Sequence, residues 1–67
     1  MEVNAVKLRE LRENLALSTR ELAELAGVHR HTIIRLENKQ GGAHPRTLRK
    51  LAQALRVKPR DLRRKEG

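Results

Sequence analysis

Residue types that do covalent or redox chemistry are scarce in this chain. There is no Cys, which excludes disulfide scaffolds, thiol nucleophiles and Cys-based zinc sites. His29 and His31 invite a metal reading, but two residues apart at a helix start their side chains are expected to diverge, with no third ligand to complete a set. His29 is better read as a helix cap. Ser18 stands three residues before Glu21, the spacing of a capping box, so its hydroxyl is used structurally. No phosphate loop and no supported carboxylate pair is present. Neither an enzyme, a metal nor a cofactor is therefore expected. What remains is a cluster suited to recognition: Arg30, His31, Ile34 and Arg35. An Arg fork matches paired acceptors, a His donates or accepts, and an apolar side chain meets a methyl group.

Charge says which partner such a cluster would meet. The 67 residues carry 16 Lys and Arg against 8 Asp and Glu, a net charge of +8. Residues 1–28 are net −1, whereas residues 29–67 are net +9. A basic domain polarised in this way fits a polyanion, because each phosphate neutralised releases counterions. The absence of Phe, Tyr and Trp removes the stacking platforms usual for single strands. Charge thus nominates nucleic acid, with a solubilising surface as the alternative. No apolar run approaches the roughly 18 residues of a membrane span, and Met1-Glu2-Val3-Asn4 opens neither a signal nor a transit peptide. A cytoplasmic, nucleoid-associated location is expected.

The elements that position the cluster follow from apolar spacing, which is helical throughout and never alternates with period two. Asn4 is the expected cap of a first helix over 5–15, with Ala5, Leu8, Leu11 and Leu15 on one face. Ser18 and Glu21 start a second, with Leu22, Ala23 and Ala26 inward and Gly27 at its left-handed end. A third spans 30–38. Pro45 or Arg46 opens a fourth with the stripe Leu48, Leu51, Ala52 and Leu55, and Pro59 a short fifth anchored by Leu62. The fold class expected is all-α: five helices in one domain over 1–67, with a core about 5–62 and a basic tail 63–67. Ala23, Gly27, Val28, Ile33 and Leu36 have the offsets of a helix-turn-helix, in which the later helix is offered to the major groove.

From about Leu8 to Leu62 the sequence resembles the lambda repressor-like (Cro/cI-type) helix-turn-helix domains. The matching pieces are Leu11-Arg12-Glu13, Leu17-Ser18 before Leu22-Ala23, Gly27-Val28, Ile33 and Arg35-Leu36-Glu37-Asn38. Pro45 with Leu48, Leu51-Ala52 and Ala54-Leu55 continue the match. The resemblance implies a sequence-specific double-stranded DNA-binding transcriptional regulator, a repressor acting as a homodimer on a palindromic operator. It also allows the antitoxin of a toxin–antitoxin pair, with a toxin protein as partner, or a protein-interaction module reusing the fold. The family often pairs a buried Arg with a Glu at the positions of Arg12 and Glu37, an ion pair of structural kind. Three departures stand out: Lys39 where the family usually has Gly, a longer loop over 40–44, and Ala16 where Gly is frequent.

A helical wheel on the third helix turns Ile33, Leu36 and Glu37 inward and Arg30, His31, Ile34, Arg35 and Asn38 outward. Arg30, His31, Ile34 and Arg35 are the base-contacting candidates, and Thr19, Arg20, Asn38, Lys39, Gln40 and Arg46 the phosphate contacts. Thr19 would use its hydroxyl together with free N–H groups at a helix start. Gly41 and Gly42 either bring the loop backbone close to phosphate or make a flexible tip. Val57, Leu62 and the fifth helix are the expected dimer interface.

Overall fold

The computed structural model describes residues 2–63. The first three helices begin where a side chain takes up a free N–H. Asn4 Oδ1 accepts from the Lys7 N–H at 3.1 Å and opens α1 (Ala5–Asn14). The capping box forms on α2 (Thr19–Ala26): Ser18 Oγ accepts from the Glu21 N–H at 3.0 Å, and Glu21 Oε1 accepts from the Ser18 N–H at 2.9 Å. His29 does cap α3 (Arg30–Glu37), its Nδ1 accepting from the His31 N–H at 3.1 Å. Pro45 and Pro59 lead α4 (Pro45–Leu55) and α5 (Pro59–Leu62), where a missing N–H leaves no bond unmade.

The first four helices end in one way. In each, a left-handed residue donates its N–H to the carbonyl three residues back, and the next residue donates to the carbonyl five back. The pairs are Ala16 and Leu17, Gly27 and Val28, Lys39 and Gln40, and Arg56 and Val57. Their turning residues have φ of +55°, +69°, +61° and +60°. Only one of the four is glycine. Leu17, Val28 and Val57 then pack against the core, the apolar contact that usually accompanies this turn. Gln40 is polar and exposed, so α3 lacks it.

Leu8, Leu22, Ile33, Leu36, Leu48, Leu51 and Leu62 are fully covered and form one core. Ala23, Ala26 and Ala52 are buried beside them, small enough for close helix approach. α2 packs on α3 and α4, α1 on α3 and α5, and α4 on α5. The expected inner stripes of α2 and α4 are all buried. Three readings need correction. Leu15 is exposed rather than inward, because α1 stops at Asn14 and the left-handed turn at Ala16 redirects the chain. Leu62 is no interface residue: it fills the core and is unavailable to a partner. Nor does position 63 belong to a loose tail, since Val3 and Arg63 form an isolated antiparallel bridge and the Asn4 N–H donates to the Leu62 carbonyl at 2.7 Å. The rest of that tail, 64–67, lies outside the described residues.

Candidate nucleic-acid interface

The helix-turn-helix is set by α2 and α3. Ala23 is buried between them, Gly27 makes the left-handed turn, and Ile33 and Leu36 hold α3 down. With those two inward, Arg30, His31, Ile34 and Asn38 are exposed, as the wheel requires. Ile34 keeps 39% of its surface in water, less than Val6, Leu15 or Leu25. The His29 and His31 rings do not diverge: they meet edge to face with centroids 4.9 Å apart, because the cap draws His29 back over the first turn. Among the described residues, no group of three or more His, Cys, Asp or Glu is placed to hold a metal.

Behind α3 lies the ion pair of Arg12 and Glu37. Arg12 Nε donates to Glu37 Oε2 at 2.7 Å and Nη2 to Oε1 at 3.0 Å, a two-pronged contact between side chains only 13% and 9% exposed. Nη1 donates to the Leu17 carbonyl at 2.7 Å. The Glu37 carboxylate raises the guanidinium's already high pKa, outweighing the opposing effect of burial. The pair ties the end of α1 to the end of α3 and leaves no buried side-chain polar atom without a bond among the described residues.

Arg35 departs from the expected arrangement. Its side chain is not free on the outward face: Nη1 donates to the Gln40 carbonyl at 2.8 Å and to the Gly42 carbonyl at 3.2 Å. A helical wheel gives the direction of Cβ but not the bend of a long side chain over the following turn, so sequence reasoning missed this. It also missed Ala43, which is buried in the core and pins the far end of the loop. The single signal for Ala43 was a small apolar residue inside an otherwise polar loop. The turn over 40–42 is thus bonded to Arg35 on one side and followed by the buried Ala43 on the other.

The phosphate candidates surround α3. Thr19 is half-buried at the start of α2, and Arg20 sits beside it in an exposed pair with Glu24 at 3.6 Å. Such a pair is worth only about 0.3–0.5 kcal/mol, so phosphate can compete for Arg20. Lys39, Gln40 and Arg46 are exposed after α3 and at the start of α4, and among the described residues no carboxylate pairs with the two cations. A cleft of about 470 Å³ separates Lys39, Gly41 and Gly42 from residues 2–6. No helix among the described residues is long and apolar enough to cross a membrane.

Comparison with known proteins agrees with this geometry. The helix-turn-helix family (HTH_3) matches residues 8–62. The HTH-type transcriptional repressor RghR of Bacillus subtilis (strain 168) is 41% identical over the whole of this chain, which spans half of that protein's length. The crystal structure of the restriction-modification controller protein C.AhdI from Aeromonas hydrophila superposes with a TM-score of 0.81 at 37% identity, covering 85% of this chain and 86% of that one. A mutant of hydroxyethylphosphonate dioxygenase carries a similar unit, with a TM-score of 0.86 at 25% identity over all of this chain but only 14% of its own. The chain belongs to the helix-turn-helix family.

Proposed function

We propose that the protein is a sequence-specific reader of double-stranded DNA that represses transcription by occupying an inverted repeat as a homodimer. The observation that carries this reading is the outward face of α3. Arg30 and His31 stand exposed at its first turn, Ile34 one turn on, and the exposed cations Lys39 and Arg46 flank it. A groove-reading helix makes its base contacts from its N-terminal end. Arg30 suits guanine O6 and N7, and Ile34 a thymine methyl. Thr19, Arg20, Asn38, Lys39, Gln40 and Arg46 set register on the phosphates without reading sequence. The mechanism is steric, with no bond made or broken.

Selection of duplexes from a random library at near-physiological salt tests this reading. An enriched inverted repeat with half-sites about one helical turn apart is the expected result. Enrichment of a single half-site would keep the reader and discard the dimer. Retention without any preference would overturn sequence recognition.

A further inference from the structure

We propose that Arg35 is a positioning residue: it reads no base but ties down the 40–42 turn, so that Lys39 and Gln40 meet phosphate from a fixed place. The inference rests on the reading of the protein as a duplex binder. Its argument begins with how α3 ends. α1, α2 and α4 secure their left-handed turns with an apolar residue packed on the core, Leu17, Val28 and Val57. α3 has Gln40 at that place, exposed to water. Its turning residue is Lys39 at φ +61°, a conformation disfavoured for any residue with a β-carbon. This end of α3 therefore carries the same strain as the ends at Ala16 and Arg56 but lacks the apolar contact that holds them.

The Arg35 guanidinium replaces the missing contact. Gln40 and Arg35 are bonded in both directions: the Gln40 N–H donates to the Arg35 carbonyl at 2.9 Å, and Arg35 Nη1 donates to the Gln40 carbonyl at 2.8 Å. The same Nη1 reaches the Gly42 carbonyl at 3.2 Å, so two carbonyls flanking Gly41 converge on one cationic nitrogen. Such charge-assisted bonds are roughly twice as strong as neutral ones. Gly41 is shaped to this arrangement. Its φ is +77°, and a β-carbon built there would lie 2.8 Å from Arg35 Nη1. With Ala43 buried beyond it, the turn is held at both ends. A guanidinium engaged in this way is drawn back over the turn, with its Nη1 committed to the loop.

Two variants of the whole protein, Arg35→Gln and Gly41→Ala, release the clamp from opposite sides. Three measurements follow. Backbone amide relaxation of the free protein should show motion gained at 40–42 in both variants, with the core amides unchanged. Duplex selection should return the parent's preferred sequence, bound about tenfold more weakly, the worth of one charge-assisted contact. Lys39→Ala should weaken the parent but add little in the Arg35→Gln background, because the two act through one contact. A changed base preference at one position in Arg35→Gln would make Arg35 a base reader and overturn the proposal. Unchanged order at 40–42 would overturn it equally. If the parent itself selects no sequence, the DNA reading fails, and the relaxation measurement alone still decides whether the clamp exists.

Discussion

Arg12 and Arg35 do the same thing at the ends of different helices. Each sits in the last turn, and each donates Nη1 to the carbonyl five residues on, Leu17 at 2.7 Å and Gln40 at 2.8 Å. They differ in what else the guanidinium meets. Arg12 turns its other nitrogens to the Glu37 carboxylate, whereas Arg35 Nη1 itself reaches a second loop carbonyl. One joins two helices through the interior, and the other fastens a surface turn.

The first prediction concerns the interior pair. Arg12→Ala strands the Glu37 carboxylate in a site that is 9% exposed, and breaking such a pair costs about 3–5 kcal/mol. A domain of this length has about 3–10 kcal/mol in total. Urea unfolding of Arg12→Ala should therefore show a protein near or past its limit. Arg12→Lys should fall between, since an ammonium cannot make the two-pronged contact. Arg12→Met combined with Glu37→Leu should recover most of the loss by removing both charges. A double variant no better than Arg12→Ala would refute this account.

The left-handed helix ends predict an easy gain. Ala16 and Arg56 hold φ of +55° and +60°, which costs a residue with a β-carbon roughly 1–2 kcal/mol. Glycine there relieves that strain and loses about 0.5–1 kcal/mol to the freedom of the unfolded chain. Ala16→Gly and Arg56→Gly should each stabilise by about 0.5–1 kcal/mol, a rise of roughly 2–8 °C in melting temperature for a domain this small. Gly27→Ala should do the reverse. Nothing lies within 4 Å of its absent β-carbon, so strain alone acts. Melting curves in which the Ala16 and Arg56 variants fall below the parent would sink the argument.

Acid dependence should appear at the start of α2. The Glu21 carboxyl is held below its usual pKa, first by the Ser18 backbone N–H and then by the Ser18 hydroxyl. The unfolded chain therefore takes up this proton first as pH falls. The stabilisation is complete above about 4.3, the ordinary Glu value, and is lost as pH drops through the depressed folded value. Glu21→Gln should melt below the parent near neutrality and converge with it in acid. A constant gap across the range would show that the charge plays no part.

Base and phosphate contacts should separate under substitution. Arg30→Ala and His31→Ala should relax preference at particular base pairs, with about 1–3 kcal/mol lost at the Arg30 position. Lys39→Ala keeps a β-carbon, so the strain at φ +61° is unchanged. It should weaken all duplexes alike and reduce the salt slope by about one. Titrations at several salt concentrations decide the matter. Arg30→Ala leaving the selected sequence intact would remove it from the base-reading set.

What the sequence determined by itself was every element whose cause is local. Apolar spacing fixed the faces of α2 and α4, and Ser18 with Glu21, Asn4, Gly27 and both prolines marked ends that the structure keeps. A capping residue acts within one turn, so its neighbours in sequence are its neighbours in space. Tertiary structure decided what depends on distant groups or on a long side chain's bend. Leu62 was legible as apolar, but its assignment to core rather than interface needed α1 and α4 in place. Arg35 was legible as a cation on an outward face, yet its flexible stem folds over whichever carbonyls the loop presents. The loop presents those carbonyls because Ala43 is drawn into the core at its far end. That burial depends on helices packed from elsewhere in the chain, and no local pattern encodes it.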